Sequence, residues 1–385
     1  MDLYETAPIK NPQYRLPVLI ASIALLTGLG LVTLYSSSYA YAAEWFNGNG
    51  LYFFTRQAVF CAAGILCFII ASLISLEWIR KSVKLLIFIS LILCALTFVP
   101  GIGIVRNGAS RWIGFRSVPF FQPSELVKFA LPLYLAHILD KKQDTLDNFY
   151  TSILPPILIS AVFFTLIYFQ NNFSTAVFIA INAMVIFFLA GIRLRYFIGA
   201  GVIFFPLSVL LLLTREHRVR RLISFVQPKW DPQGAGYQVR NSINAICSGG
   251  LWGKGIGQGT RKISSVPEVH SDFIFSAFSE EAGFLGILLF MGLLAIFAWH
   301  GYKSALNSQT LFRRLFGVSL VTTIVSQTLV NIAVASGSLP ATGIPLPFFS
   351  AGGSSLVITL VCAGFIVNIS RTAGHQTIKE SAYAQ

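Results

Sequence analysis

Ten long apolar runs alternate with short polar stretches along this chain, at about residues 17–41, 57–76, 84–99, 125–139, 152–169, 173–190, 196–214, 277–299, 315–337 and 349–369. Runs near twenty apolar residues cross about 30 Å of hydrocarbon as helices, which satisfy their own backbone hydrogen bonds in lipid. The pattern predicts an all-α polytopic membrane protein of about ten transmembrane helices. An even count puts both termini on one side. With that side cytoplasmic, its tails and short loops collect Lys10, Arg15, Arg80, Lys81, Lys141, Lys142, Arg193 and Arg195, the positive-inside pattern. Residues 1–16 and 371–385 are then cytoplasmic tails, and 17–370 is one membrane domain with a long extracytoplasmic loop at about 215–276.

Composition agrees with this reading: of 385 residues, 55% are hydrophobic and only 11% charged, far from a soluble domain, where roughly a quarter are charged. The polar start, MDLYETAPIKNPQYR, has no apolar core or small-residue cleavage site of a removable signal peptide. Cys61, Cys67, Cys94 and Cys362 sit inside apolar runs and only Cys247 lies in a polar loop, so neither a disulfide nor a cysteine metal site is expected.

Two outer segments break the charge rule. The connection at about 100–124 carries Arg106, Arg111 and Arg116, and the 215–276 loop carries nine basic residues against Glu216, Asp231, Glu268 and Asp272. Long loops translocate regardless of charge. Such a loop is either a solvated face near anionic headgroups or a basic vestibule that concentrates an anionic substrate. No nucleic-acid partner is expected. The glycines of SGGLWGKGIGQG superficially resemble a phosphate loop, but no strand precedes them.

Four places carry candidate chemistry. In FQPSELVKFALPLYLAHIL, Glu125 and Lys128 share one face of an otherwise apolar helix, as a structural ion pair or as the marker of a site. In NGASRWIGF, Arg111 can fork onto phosphate beside Trp112, which also fits plain interfacial anchoring. In SVPEVHSDFIFSAFSEE, Asp272 precedes Phe273, Ile274 and Phe275. Partial desolvation there suits a base, and Ser271 or Asp272 equally suits a helix cap. Glu280 and Glu281, in the same segment, fit helix packing or partner contacts. The run SGSLPATGIPLPFFSAGGSSL predicts a kinked, partly re-entrant loop whose Ser350, Ser354 and Ser355 offer donors.

Together NGASRWI and QPSELVK, DPQGAGYQVRNSINAICSGGLWGKGIGQG, VPEVHSDFIFSAFSEE and LPATGIPLPFFSAGGSSL, in this order over nearly the whole chain, resemble the SEDS (shape, elongation, division and sporulation) family. The resemblance implies a peptidoglycan glycosyltransferase that polymerises lipid II on the outer face of the bacterial cytoplasmic membrane. It further implies a class B penicillin-binding protein transpeptidase and divisome proteins as partners. NGASRWI, FLAGIRLRYF and RRLISFVQP look more like the division branch than the elongation branch. Asp272 takes the place of the family's essential aspartate, and Glu125 and Lys128 take the polar pair expected to line the same cavity. Gln122, Ser124, His270 and Ser354, from the same motifs, are candidate substrate contacts. Two departures stand out: Asn171, Asn172 and Ser174 replace the usual proline, aspartate and glycine, and Ala351 replaces a tyrosine.

The implied chemistry is a single inverting displacement of a polyprenyl diphosphate by a sugar hydroxyl. It needs a base, here Asp272, and positive charge on the leaving group, for which Arg111, Lys128, Lys254, Arg261 and Lys262 are candidates. A divalent cation, Mg2+ or Mn2+, could share that work, although no ligand set is visible in the sequence. The rival readings are a lipid II flippase and a non-catalytic divisome scaffold. A transporter predicts polar residues through the depth of the bundle, and an enzyme predicts them gathered near its outer end.

Overall fold

The computed structural model describes residues 15–383 apart from 107, 116, 117, 228–233 and 260–270, so Arg261, Lys262 and His270 lie outside the described residues. The chain is helical as expected. α1 (Arg15–Trp45), α2 (Tyr52–Leu73), the short α3 (Leu76–Lys81) and α4 (Val83–Leu96) lead to α5 (Pro123–Lys141). α6 (Leu154–Phe169), α7 (Phe173–Leu189) and α8 (Leu194–Leu213) follow, then α9 (Glu216–Val226) and α10 (Ala235–Ser248). α11 (Ile274–Leu306), α12 (Leu311–Ala335) and α13 (Gly353–Tyr383) complete the chain. Seven described helices are long and apolar enough to cross a membrane, and α4 and α7 are apolar but shorter.

α5 is the hub. Its first turn opens with Pro123, whose missing N–H has no helical partner to lose, and nearly its whole circumference is buried. α8 is the opposite case, a helix with no buried residue. Its side chains suit lipid all round.

The connection after α4 is not plain loop. β1 (Gly103–Arg106), β2 (Ala109–Phe115) and β3 (Val118–Phe121) form a small antiparallel sheet with β2 in the centre, so Arg111 rides on the middle strand. The sheet is fastened to the helices beside it. Arg56 in α2 donates to Pro119 O at 2.6 Å, and the Gln122 N–H donates to Ser354 Oγ at 3.2 Å.

α11 is two helices joined at a break. Gly283 has φ +64° and ψ −167°, a combination open essentially only to glycine. The glycine run 249–257 fills the break with its backbone: Lys254 and Gly255 N–H donate to Glu280 O and Glu281 O at 3.0 Å, and Phe284 N–H donates to Gly250 O at 2.9 Å. These amides hold a helix, not a phosphate. A Cβ on Gly283 would stand 2.2 Å from Gly253 N. Gly283→Ala is therefore expected to lower the unfolding midpoint in detergent by an amount reflecting at least about 1–3 kcal/mol. Gly28→Ala, where nothing lies within 4 Å, is the control and should not lower it.

Candidate functional site

Where α9 and α10 meet the start of α11 and the end of α12, a cavity of about 480 Å³ opens. Its walls include Glu216, Arg220 and Arg221 of α9, Gly234 and Gln238 at the start of α10, Asp272, Asn331 of α12 and residues 341–344. Asp272 is half-buried, and the three residues after it, Phe273, Ile274 and Phe275, are buried as their apolar character requires. Phe273 occupies the N-cap position of α11, one residue after Asp272.

Arg111 stands beside this cavity. Its Nη2 donates to Asn171 O at 2.5 Å, and Asn171, at φ +58°, donates from Nδ2 to Gly108 O at 2.7 Å in the β1–β2 turn. Asparagine tolerates that left-handed conformation better than most residues. Asn171, one of the departures from the family pattern, is thus what orients the arginine here. Burial lowers the Arg111 pKa to about 10; Arg221 and Arg218 push the same way and Asp272 opposes them. At neutral pH the guanidinium is still a cation.

Arg218, 6% exposed, lies 4.5 Å over the Tyr168 ring and donates to Leu211 O at 2.9 Å. Arg221 donates to Ala341 O at 3.4 Å. The result is a cluster of guanidinium groups around one carboxylate. The sequence reading missed Arg220, Arg221, Gln238 and Asn331. Its available signal was α9 itself, EHRVRRLISFV, an amphipathic helix with three arginines.

Several expected site residues lie elsewhere. Glu125 and Lys128 pair at 2.8 Å with side chains 3% exposed, and neither lines the cavity. Lys128 Nζ also donates to Gln327 Oε1 at 2.9 Å and sits 5.8 Å over the Phe178 ring, so its charge is held inside the bundle, not on a substrate diphosphate. Lys254 Nζ lies 2.5 Å from Oε1 of the fully buried Glu280, which needs a countercharge. Gln122, Ser124 and Ser354 bond to one another and to Phe120 O, joining β3 and α5 to α13 outside the cavity walls. Of the described lining side chains only Asp272 and Glu216 are carboxylates, and Glu216 pairs with Arg220 at 2.9 Å. No group of three His, Cys, Asp or Glu that could hold a metal ion occurs among the described residues.

The family model for the cell cycle proteins FtsW, RodA and SpoVE matches residues 17–375. The chain belongs to this family. It is 38% identical over 350 residues, 91% of this chain and 94% of the relative, to a probable peptidoglycan glycosyltransferase FtsW of Borreliella burgdorferi. It is 36% identical to the stage V sporulation protein E of Bacillus subtilis, over 94% of this chain and 98% of that one. Among solved structures, a chain described under structural coordination of polymerization and crosslinking by a peptidoglycan synthase complex superposes with TM-score 0.75 at 28% identity, covering 92% of this chain and 97% of that one. The rod shape determining protein RodA of Thermus thermophilus gives 0.66 at 26% identity, over 92% and 95%. SEDS membership, read first from five motifs, thus holds over nearly the whole chain.

Proposed function

We propose that this member of the FtsW/RodA/SpoVE family is a peptidoglycan glycosyltransferase of the division branch, polymerising lipid II on the outer face of the bacterial inner membrane. The observation that carries the reading is the Asp272 carboxylate opening into a cavity walled by Arg220 and Arg221, with Arg111 beside it. In the displacement, Asp272 takes the proton from the 4-hydroxyl of the acceptor sugar as that oxygen bonds to the anomeric carbon of the donor. The anomeric carbon–oxygen bond breaks with inversion, and the electron pair leaves on the polyprenyl diphosphate. Arg111, Arg220, Arg221 and the amide end of α10 supply the positive field for that diphosphate.

Both termini are assigned to the cytoplasm and the cavity to the outer face. The partner is a class B penicillin-binding protein working beside divisome proteins, supported by the likeness to a chain of a peptidoglycan synthase complex. Asp272, Arg111, Arg220 and Arg221 gather at one end of the bundle, which favours an enzyme over a translocation path. The test is polymerisation of purified lipid II by the purified protein, with and without a co-purified class B partner. Glycan strands are expected with the partner present; their absence under both conditions rejects the assignment.

A further inference from the structure

α12 carries two amides one turn apart on the side that meets the 339–350 loop. Gln327 and Asn331 are 3% and 1% exposed. Gln327 Nε2 donates to Pro345 O at 2.8 Å while its Oε1 accepts from Lys128 Nζ at 2.9 Å. Asn331 Nδ2 donates to both Ile344 O and Asp272 O at 2.9 Å. Each amide nitrogen faces a carbonyl, which only a donor can satisfy, so the partners fix both amide orientations. A third tie comes from Ser350, whose Oγ donates to Ser271 O at 2.6 Å and accepts the Leu346 N–H at 2.7 Å. The peptides of Ser271 and Asp272 are thus stitched to Ile344 and Leu346 by two side chains, Asn331 and Ser350, while Gln327 holds the intervening Pro345 O.

Gly343 stands at the edge of the stitched segment with φ +72°. A Cβ there would lie 3.5 Å from Asp272 Oδ2 and 3.9 Å from Arg111 Nη1. The carboxylate of Asp272 and the guanidinium of Arg111 are thus both neighbours of this one glycine.

We propose that Gln327 and Asn331 are positioning residues through which the buried Glu125–Lys128 pair fixes the Asp272 carboxylate relative to Arg111. Lys128 holds the Gln327 oxygen, which turns the Gln327 nitrogen onto Pro345 O. Asn331, one turn along, extends the same fixation to Ile344 O and Asp272 O. Without the ammonium, the Gln327 side chain loses one of its two anchors, and the bond to Pro345 O alone is left to hold it against the loop. The ion pair so acts on the site from beneath, through two amides, and touches no substrate.

The inference rests on the glycosyltransferase reading for its kinetic arm only. The structural arm uses the full chain in nanodiscs with the exposed Cys247 changed to Ser and a thiol placed at the cavity wall by Thr342→Cys. Its labelling by a membrane-impermeant maleimide should quicken about fivefold in Gln327→Met and in Lys128→Met, the opening expected from one lost hydrogen bond. Gln327→Glu keeps the bulk and the acceptor for Lys128 but removes the donor to Pro345 O, so it should quicken labelling even if the Met variants fold poorly.

Turnover is measured in chains that keep Thr342. There kcat should fall by about tenfold to a hundredfold with KM for lipid II within about twofold, because geometry is lost and not a substrate contact. Lys128→Met combined with Gln327→Met should be no slower than the slower single variant. Unchanged labelling overturns the inference whatever the enzyme does, as does a raised KM or a double variant whose losses multiply. Altered labelling in a protein that never polymerises lipid II would instead reject the assigned reaction and leave the positioning role standing.

Discussion

Asp272→Asn is expected to lower glycan polymerisation by at least about a hundredfold while folding, partner binding and lipid II binding persist. Asparagine matches aspartate in size but cannot take a proton from a sugar hydroxyl at neutral pH. The backbone ties of the residue survive the exchange, since Asn331 Nδ2 and Ser350 Oγ hold the backbone oxygens of Asp272 and Ser271. The helix that follows keeps its N-cap at Phe273. A purely structural Asp272 would therefore leave an asparagine variant near the parent rate, and that result would refute the base. If polymerisation is lost while lipid II crosses proteoliposome membranes equally with either form, the transport reading loses its support.

Lys128→Met should cost about 3–5 kcal/mol of stability, the usual consequence of leaving a buried carboxylate without its partner. Glu125 and Lys128 are each 3% exposed and 2.8 Å apart, with Gln327 as a further neighbour of the ammonium. Changing both, as Glu125→Leu with Lys128→Met, removes the unpaired charge and should return the unfolding midpoint most of the way to that of the parent. Polymerisation should stay low, because Gln327 still lacks the group that orients it. A double variant with parental activity would reduce the pair to bundle packing.

The helices were legible because lipid imposes a length and a polarity on each. The run at 57–76 became Tyr52–Leu73 and that at 196–214 became Leu194–Leu213. The strands at 103–121 were not, since four-residue strands broken by turns leave too short a pattern to read. Gly283 gave no warning either: glycine is common inside membrane helices, and the break depends on a loop some thirty residues earlier. Lys254 invited a phosphate role because its partner, Glu280, is remote in sequence.

Within the site, the position of Asp272 between a basic loop and an apolar helix was visible in the sequence. Its arginine neighbours on α9 were blurred into the general charge of the loop. Gln327 and Asn331 looked like ordinary polar interruptions of an apolar run, and only their partners reveal what they hold. Pairing across the bundle is three-dimensional information that periodicity along one helix does not contain.

The break at Gly283 also separates two rotational phases. In an unbroken helix each residue turns the next by about 100°, so the lipid-facing side of 284–306 would dictate which way the 274–282 half points. Here the φ and ψ of Gly283 interrupt that count, and the orientation of the upper half is set by the carbonyls of Glu280 and Glu281 on the 249–257 segment. Residues gained or lost in the lower half rotate its membrane face without rotating Asp272. The face that the lower half of α11 turns to lipid is thereby set apart from the bearing of the carboxylate at its head.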